Sequence, residues 1–348
     1  MSNPRSFKSL LARHEVVLVL VILVEVLLFQ ALGKNFLVGR NVSNIFRHSV
    51  EIGLLAVAMT PVILTGGIDL SVGSMMGLCA VLFGMMVNSF GLDPWLAASI
   101  AVAIGASGGG INAVLITRLK LPPLIVTLGT FSLFRGLAEA LTKGAESYSN
   151  FPPSFLALGN SDIAGLPAQV WVFLVVAAAI WVLVHHTTVG RSFRAIGFAP
   201  EGARYAGIPV ARNTSIAYII AGAVAGLAAV ILVSRLGEAR ANAGIGYELL
   251  AITAVVLGGV SIFGGSGNVS GTLLGWVALA ILNNGLTRIS EYRIMDQPVA
   301  SVARELSGML TGLLLLAALA IGAATKTLAV RRARLQSLSK TPSNPSNP

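Results

Sequence analysis

The stretch Gly190–Arg212 reads GRSFRAIGFAPEGARYAGIPVAR and forms a basic segment between two long apolar runs, Val170–Val184 and Ile216–Val233. It carries four arginines against a single acid, Glu201. Short loops with an excess of Lys and Arg stay on the cytoplasmic side of a membrane protein. The segment is therefore predicted to be a cytoplasmic loop between two membrane-spanning helices.

Part of this loop has the pattern of a short helix, Pro200–Ala206. Pro200 suits the first turn, Glu201 favours a helix N-terminus, and Gly207 suits the end of a helix. Two interpretations remain open at this point. The loop either only sets the orientation of the chain, or presents a short helix at the membrane surface as a mechanical contact.

The composition indicates a membrane protein, because the 348 residues are 55% hydrophobic and only 11% charged. A soluble domain is nearer a quarter charged, and repeated apolar runs of about 20 residues are typical of bilayer-spanning helices. The net charge of +10 comes from the N-terminal segment, the loops and the tail, with no aromatic-interleaved basic patch. Positive-inside topology explains this distribution, and a nucleic-acid partner is excluded.

The single cysteine, Cys79, lies in an apolar segment, so neither a disulfide framework nor a metal site nor a cofactor is expected.

The fold class predicted is all-α, a polytopic membrane helix bundle of about ten transmembrane segments with broken or re-entrant helices. We expect a cytoplasmic N-terminus over residues 1–15, a transmembrane domain over 16–324 and a cytoplasmic basic tail over 325–348, in the bacterial inner membrane. The expected spans are Val16–Leu32, Val50–Thr65, Val72–Val87, Trp95–Ile116, Leu121–Leu141, Val170–Val184, Ile216–Val233, Leu249–Leu257, Gly267–Leu286 and Leu306–Ala324.

One of these spans, Leu249–Leu257, is too short to cross a bilayer. Nine residues make about 14 Å of helix against a hydrocarbon core of about 30 Å. A glycine-rich turn follows, and the sequence around it, AITAVVLGG at Ala251–Gly259, echoes AMTPVILTGG at Ala58–Gly67. Broken helices repeated in two halves indicate a transport site near the middle of the membrane, although so short a match also arises by chance.

Motifs for chemistry are absent from the chain. There is no G-x-x-x-x-G-K-[ST] phosphate loop, no H-E-x-x-H and no G-x-S-x-G, so we expect no enzyme, no catalytic residue and no nucleotide hydrolysis. Arg135 and Glu139 lie one helical turn apart and are predicted to form an ion pair. Asp69 lies in a glycine-rich turn, where Asp69 or Ser71 either caps the helix that begins near Val72 or lines a pathway.

Four segments carry a resemblance to a known family: GGIDLSVG at Gly66–Gly73, LPPLIVTLGTFSLFRG at Leu121–Gly136, AITAVVLGGVSIFGGSG at Ala251–Gly267 and LNNGL at Leu282–Leu286. Together, and in this order, they resemble the ribose-type monosaccharide permeases of bacterial ABC importers. The resemblance extends over nearly the whole chain. It implies a transmembrane subunit that works with a second permease copy or paralogue, a cytoplasmic ABC ATPase and a periplasmic sugar-binding protein.

The resemblance also gives the basic loop a role. Importer permeases carry an E-A-A-x-x-x-G loop that docks on the ATPase, and Glu201-Gly202-Ala203 with Gly207 matches it except for Gly202 in place of the second alanine. A glycine there weakens a helix by up to about 1 kcal/mol. The coupling residues that this implies are Arg194, Gly197, Glu201, Ala203, Arg204, Tyr205, Gly207, Ile208 and Pro209.

The implied mechanism is alternating access driven by the ATPase, for a sugar that needs uncharged polar groups along its path. The candidates for that path are Gly66, Gly67, Asp69, Ser71, Asn112, Thr127, Thr130, Arg135, Asn283 and Asn284. Each could instead form interhelical hydrogen bonds.

Two alternatives to a sugar importer remain open. One is an importer for a branched-chain amino acid or a furanose-like signalling molecule; a carboxylate would call for a cation such as Arg135. The other is an ion-coupled carrier, which would transport alone under an ion gradient.

Overall fold

The computed structural model describes residues 14–33 and 35–289, together with 293–294, 297–298, 308–310, 312–313 and 316. The expected cytoplasmic tail and most of the expected last span, Leu306–Ala324, lie outside the described residues. Within the described part the protein is helical, with two short antiparallel β-hairpins.

The helices are α1 His14–Leu32, α2 Gly39–Arg47, α3 Val50–Leu64, α4 Val72–Asn88, α5 Pro94–Thr117, α6 Pro123–Leu141, α7 Pro153–Asn160, α8 Ala168–His186, α9 Thr188–Phe198, α10 Pro200–Tyr205, α11 Val210–Leu236, α12 Tyr247–Leu257 and α13 Val269–Arg288. The strands are β1 Asp162–Ile163 paired with β2 Leu166–Pro167, and β3 Arg293–Ile294 paired with β4 Gln297–Pro298.

Six of these helices, α1, α5, α6, α8, α11 and α13, are long and apolar enough to cross a membrane. A seventh span results if α2 and α3, which meet at a 48° bend, are counted together, and α4 and α12 are shorter apolar helices. The described residues therefore do not confirm a count of about ten. The short helix expected near Leu249 is present as α12, which has only 11 residues.

The centre of the bundle is formed by α3 and α11. Every residue of α3 except Ile52 is buried. α11 packs antiparallel against α5, with Gly105 facing Gly222 and Ala101 facing Gly226. A methyl group on Gly226 would lie 2.6 Å from the carbonyl oxygen of Ala101. Glycines therefore let the two helix backbones touch.

The two ends of the bundle differ in their charges. At the end that carries the basic loop, which we name the loop end, the α1 start lies close to α12 and α13: His14 Nε2 is 2.7 Å from the Leu257 carbonyl oxygen. At the opposite end, Arg47 pairs with Asp162 at 2.5 Å and Arg235 pairs with Glu51 at 2.8 Å. Both of these arginines are thus neutralised by carboxylates.

An irregular segment, residues 237–246, lies along α4 between α11 and α12. Tyr148 and Ala239 exchange backbone hydrogen bonds of 2.8 and 3.0 Å near its beginning. The guanidinium of Arg135 donates to the carbonyl oxygens of Ala241 and Ala243 farther along. Arg135 makes no ion pair with Glu139, so that prediction is wrong. The carbonyls of this segment have no helical partners, and the guanidinium supplies the hydrogen bonds that they would otherwise lack.

Candidate functional site

The basic loop is an ordered two-helix element, α9 followed by α10. Phe193 and Ile196 of α9 are buried, at 0% and 3% exposed. Arg194 donates to the carbonyl oxygen of Val184 at 3.0 Å, which ties α9 to the end of α8. α9 is therefore fixed to the bundle before the chain reaches α10.

The helix α10 matches the expected short helix, with one turn held against the protein. Ala203 is buried, and its carbonyl oxygen accepts from Ile208 N at 3.0 Å. Gly207 follows with φ of +78°, a left-handed conformation that favours glycine. Pro209 then precedes the first residue of α11. Glu201 and Arg204 form an exposed ion pair at 3.3 Å, which contributes less than about 1 kcal/mol.

Two aromatic side chains beside this helix are almost fully exposed. Phe198, at the end of α9, is 86% exposed, and Tyr205, at the end of α10, is 89% exposed. Exposed aromatic residues next to an anchored helix are typical of protein contact sites. Sequence reasoning included Tyr205 and missed Phe198. The sequence signal for Phe198 was that an aromatic residue occurs in a basic loop, outside any apolar run that would bury it.

Three backbone segments meet at the last turn of α9, at a contact that we name the glycine junction: Gly66, Gly197, Gly264 and Gly265. Gly265 N donates to the carbonyl oxygen of Leu64 at 3.0 Å. A methyl group on Gly264 would lie 2.7 Å from Gly66 N and 2.9 Å from Gly197 Cα. The glycines predicted separately for the path and for the coupling loop are therefore in contact.

Four of the other path candidates form one buried hydrogen-bonded network, and a fifth, Thr127, lies beside it. Asp69 Oδ1 accepts from the amide and the hydroxyl of Ser71, at 2.8 and 2.6 Å. Asn112 donates to Ser71 Oγ at 2.8 Å and accepts from Thr130 Oγ1 at 2.7 Å. Thr127 Oγ1 donates to the carbonyl oxygen of Ile68 at 3.1 Å. All five side chains are at most 5% exposed.

This network joins the turn after α3 to α5 and α6. Asp69 accepts from the amide and the hydroxyl of Ser71 within the turn, but neither side chain bonds to the first amides of α4, so the predicted side-chain cap of this helix is not formed. Gly67 packs against the hydroxyl of Tyr218 on α11, which has no hydrogen-bond partner among the described residues. The network thus holds the α3–α4 turn against α5 and α6, and Gly67 packs the same turn against α11.

A large cavity of about 1010 Å³ lies elsewhere, between α2, α3, α12 and α13. Of the path candidates, only Asn283 and Asn284 line it; the network residues and Arg135 do not. Asn284 Oδ1 accepts from Asn41 at 2.9 Å. The predicted path residues therefore fall into two places, the network near the loop end and the amide pair in the cavity.

The cavity wall is largely aliphatic, and set into it are two aromatic rings, several amide and hydroxyl groups, one histidine and one arginine; the aliphatic residues are Ile45, Ile52, Ile245, Leu249, Leu250, Leu279 and Ala280. Trp276 and Tyr247 supply rings, and Thr253 and Thr287 supply hydroxyls, while Arg288 lies at the end of α13. Trp276 Nε1 donates to Ser49 O at 2.8 Å, which fixes the indole. Amide, hydroxyl and indole groups are a lining that suits a small solute rich in hydroxyls.

Sequence reasoning missed most of this lining. The signal was a stripe on α13, where Trp276, Asn283 and Thr287 recur at helical spacing on one face. The described residues contain no group of three or more His, Cys, Asp or Glu that could hold a metal ion.

Comparison with known proteins agrees with this architecture. Residues 41–319, about four fifths of the chain, match the family model described as "Branched-chain amino acid transport system / permease component". The chain is 37% identical over 309 residues to the autoinducer 2 import system permease protein LsrD of Photorhabdus laumondii, covering 87% of this chain and 89% of that protein. It is 36% identical over 307 residues to LsrD of Escherichia coli K12, with the same coverage. These matches, with the helical bundle and its basic loop, make this chain a member of the ribose-type permease family of bacterial ABC importers.

Proposed function

We propose that this permease carries a small, uncharged, sugar-like solute, autoinducer 2 or a monosaccharide, which a periplasmic binding protein delivers. The relatives named as autoinducer 2 import permeases support this solute class. The amide and hydroxyl lining of the cavity supports it independently. The chain lies in the inner membrane with both termini in the cytoplasm, and it pairs with a second permease copy or a paralogue.

The observation that carries the proposal is the exposed aromatic pair beside α10. The inner face of this element is fixed by Phe193, Ile196 and Ala203, whereas Phe198 and Tyr205 point away from the bundle. A rigid element with exposed aromatic anchors suits insertion into a cleft of a cytoplasmic ATPase. ATP-driven closure of the ATPase then moves α10, and the bundle opens the cavity to alternate sides.

A second solute class is favoured by one observation. Arg288 lines the cavity, and the matching family is described as branched-chain amino acid transport. A guanidinium there would bind the carboxylate of an amino acid. The two solute classes therefore differ in their need for Arg288.

ATPase coupling is tested by the double variant Phe198→Ala/Tyr205→Ala, reconstituted with the ATPase and the binding protein. Truncating aromatic anchors costs about 1–3 kcal/mol of binding, so we expect 10- to 100-fold weaker ATPase association and a matching loss of uptake. Phe90→Ala, which removes a 62% exposed aromatic at the far end of α4, is the control and leaves both unchanged. Unchanged ATPase affinity in the double variant, or uptake under an ion gradient without the ATPase, contradicts the proposal.

The solute is tested in the same vesicles with labelled autoinducer 2, ribose and leucine. We expect uptake of an uncharged solute that falls in Asn283→Ala and persists in Arg288→Gln. Asn88→Ala, an exposed amide at the end of α4, controls for loss of an asparagine elsewhere. Leucine uptake that Arg288→Gln abolishes would establish the second solute class instead.

A further inference from the structure

The glycine junction brings the loop element into contact with both of the helix ends that echo each other in sequence. Gly66 follows α3, the helix of the first echo, and Gly264 and Gly265 lie in the turn after α12, the helix of the second. Gly197, in the last turn of α9, lies against both of them. The helix α9, which precedes α10, thus contacts both the turn after α3 and the turn after α12.

Only backbone atoms separate these segments. A methyl group on Gly197 would overlap the carbonyl oxygen of Leu64 and approach the backbone of Gly264 to 3.0 Å. Gly265 has φ of +81°, and a methyl group there would lie 3.0 Å from Phe198 N. A contact made by side chains can yield by changing rotamer, but a contact between backbones cannot. Displacement of α9 therefore has to displace both turns.

Each turn leads to one of the two places described above. The turn after α3 continues into Asp69 and Ser71, which bind Asn112 on α5. The turn after α12 continues into α13, whose face carries Trp276 and Asn283 in the wall of the cavity. The hydrogen bond between Gly265 N and Leu64 O joins the two turns directly.

We infer that the glycine junction is the transmission contact of this permease: it carries the movement of α10 into the α3–α4 turn and the α12–α13 turn together. Gly66, Gly197, Gly264 and Gly265 are positioning residues that act through these two turns and touch no solute. The inference rests on the proposed function, because it takes α10 as the contact that the ATPase moves. It goes beyond that function by naming where the movement enters the bundle.

The test is Gly197→Ala in the reconstituted importer, with Gly110→Ala as the matched control. Gly110 lies in α5, outside the loop element, and an added methyl group there would meet nothing within 4 Å. We expect Gly197→Ala to insert, to co-purify with the ATPase and to keep ATP hydrolysis within about two-fold, while solute uptake per ATP falls at least ten-fold. Gly110→Ala keeps the wild-type ratio. Equal loss of hydrolysis and uptake, or no loss of either, overturns the inference.

A second measurement avoids dependence on how well Gly197→Ala folds. Phe198→Cys/Gly265→Cys, in a Cys79→Ser background, places two thiols at a position where the Cβ atoms are about 3.2 Å apart. Because this variant also lacks the Phe198 anchor, uptake per ATP is measured with the ATPase in excess and compared between the oxidised and reduced forms of the same protein. If the junction moves as one unit, the two forms give the same ratio. Loss of uptake on oxidation that a reductant restores overturns the inference. Failure of the wild-type chain to couple to the ATPase would instead contradict the proposed function itself.

Discussion

At the scale of single residues, the ion pair between Glu51 and Arg235 is the more buried of the two ion pairs described at the end opposite the loop. Glu51, in the first turn of α3, is fully buried, and its Oε1 accepts from Arg235 Nε at 2.8 Å. Arg235 Nη1 is also 3.2 Å from His48 Nδ1. An acid at a helix N-terminus is stabilised by the helix dipole, and here it also neutralises a cation from α11. The pair therefore fixes the beginning of α3 against the end of α11.

Glu51→Gln is expected to destabilise the protein strongly, because it leaves the Arg235 side chain, which is only 10% exposed, without its counter-charge. Removing one partner of a buried pair typically costs about 3–5 kcal/mol. The thermal unfolding midpoint in detergent measures this loss. Arg240→Ala, which breaks the more exposed pair with Glu238, is the control and changes stability by less than about 1 kcal/mol.

The double variant Glu51→Leu/Arg235→Leu separates charge imbalance from lost packing. It should recover most of the stability, because no unpaired charge is left behind. A midpoint for Glu51→Gln equal to that of the wild type would mean that this ion pair contributes nothing to the fold.

At the scale of elements, the sequence predicted most helix positions within a few residues. Apolar runs bounded by proline, glycine or charge defined α1, α3, α4 and α5, and the pattern around Pro200 predicted α10. It did not predict α2 or α7, which are short. Their place depends on tertiary partners, such as the hydrogen bond from Gly159 N to Ser234 Oγ on α11. Local pattern cannot report a contact between residues 75 positions apart.

The contact of α5 with α11 gives a test of packing at this scale. A methyl group at Gly222 would overlap the carbonyl oxygen of Gly105 and lie 2.8 Å from Gly109 N, so Gly222→Ala must push the two helices apart. We expect a loss of roughly 1–3 kcal/mol, as for other overpacked sites, seen as a lower unfolding midpoint and lower yield of inserted protein.

Gly110→Ala is the matched control on α5, since a methyl group there meets nothing within 4 Å. Replacing a helical glycine by alanine favours the helix by about 1 kcal/mol, so this variant should be neutral or slightly stabilised. A stable Gly222→Ala protein would show that the two helices do not depend on backbone contact.

At the scale of the whole molecule, the candidate site was only partly predictable. The residues proposed for coupling all lie within one short segment, 194–209, so one motif was enough to name them together. The path residues are spread from Gly66 to Asn284, and their grouping depends on which turns meet in space. The sequence did not predict that Asp69, Asn112 and Thr130 would belong to one hydrogen-bonded network. It also did not predict that Asn283 would line a separate cavity.

The orientation of the entire chain in the membrane is predicted to place the loop end in the cytoplasm and the opposite end in the periplasm. Tyr205→Cys, at an 89% exposed position of the loop end, should react with an impermeant maleimide only in inside-out vesicles. Ile163→Cys, in the β1–β2 hairpin at the opposite end and 54% exposed, should react only in intact spheroplasts. Cys79 is fully buried, so the wild-type chain supplies an unlabelled background in both preparations. Labelling of both positions from one side, or of Tyr205→Cys from outside, would remove α10 from the reach of a cytoplasmic ATPase and contradict the proposed coupling.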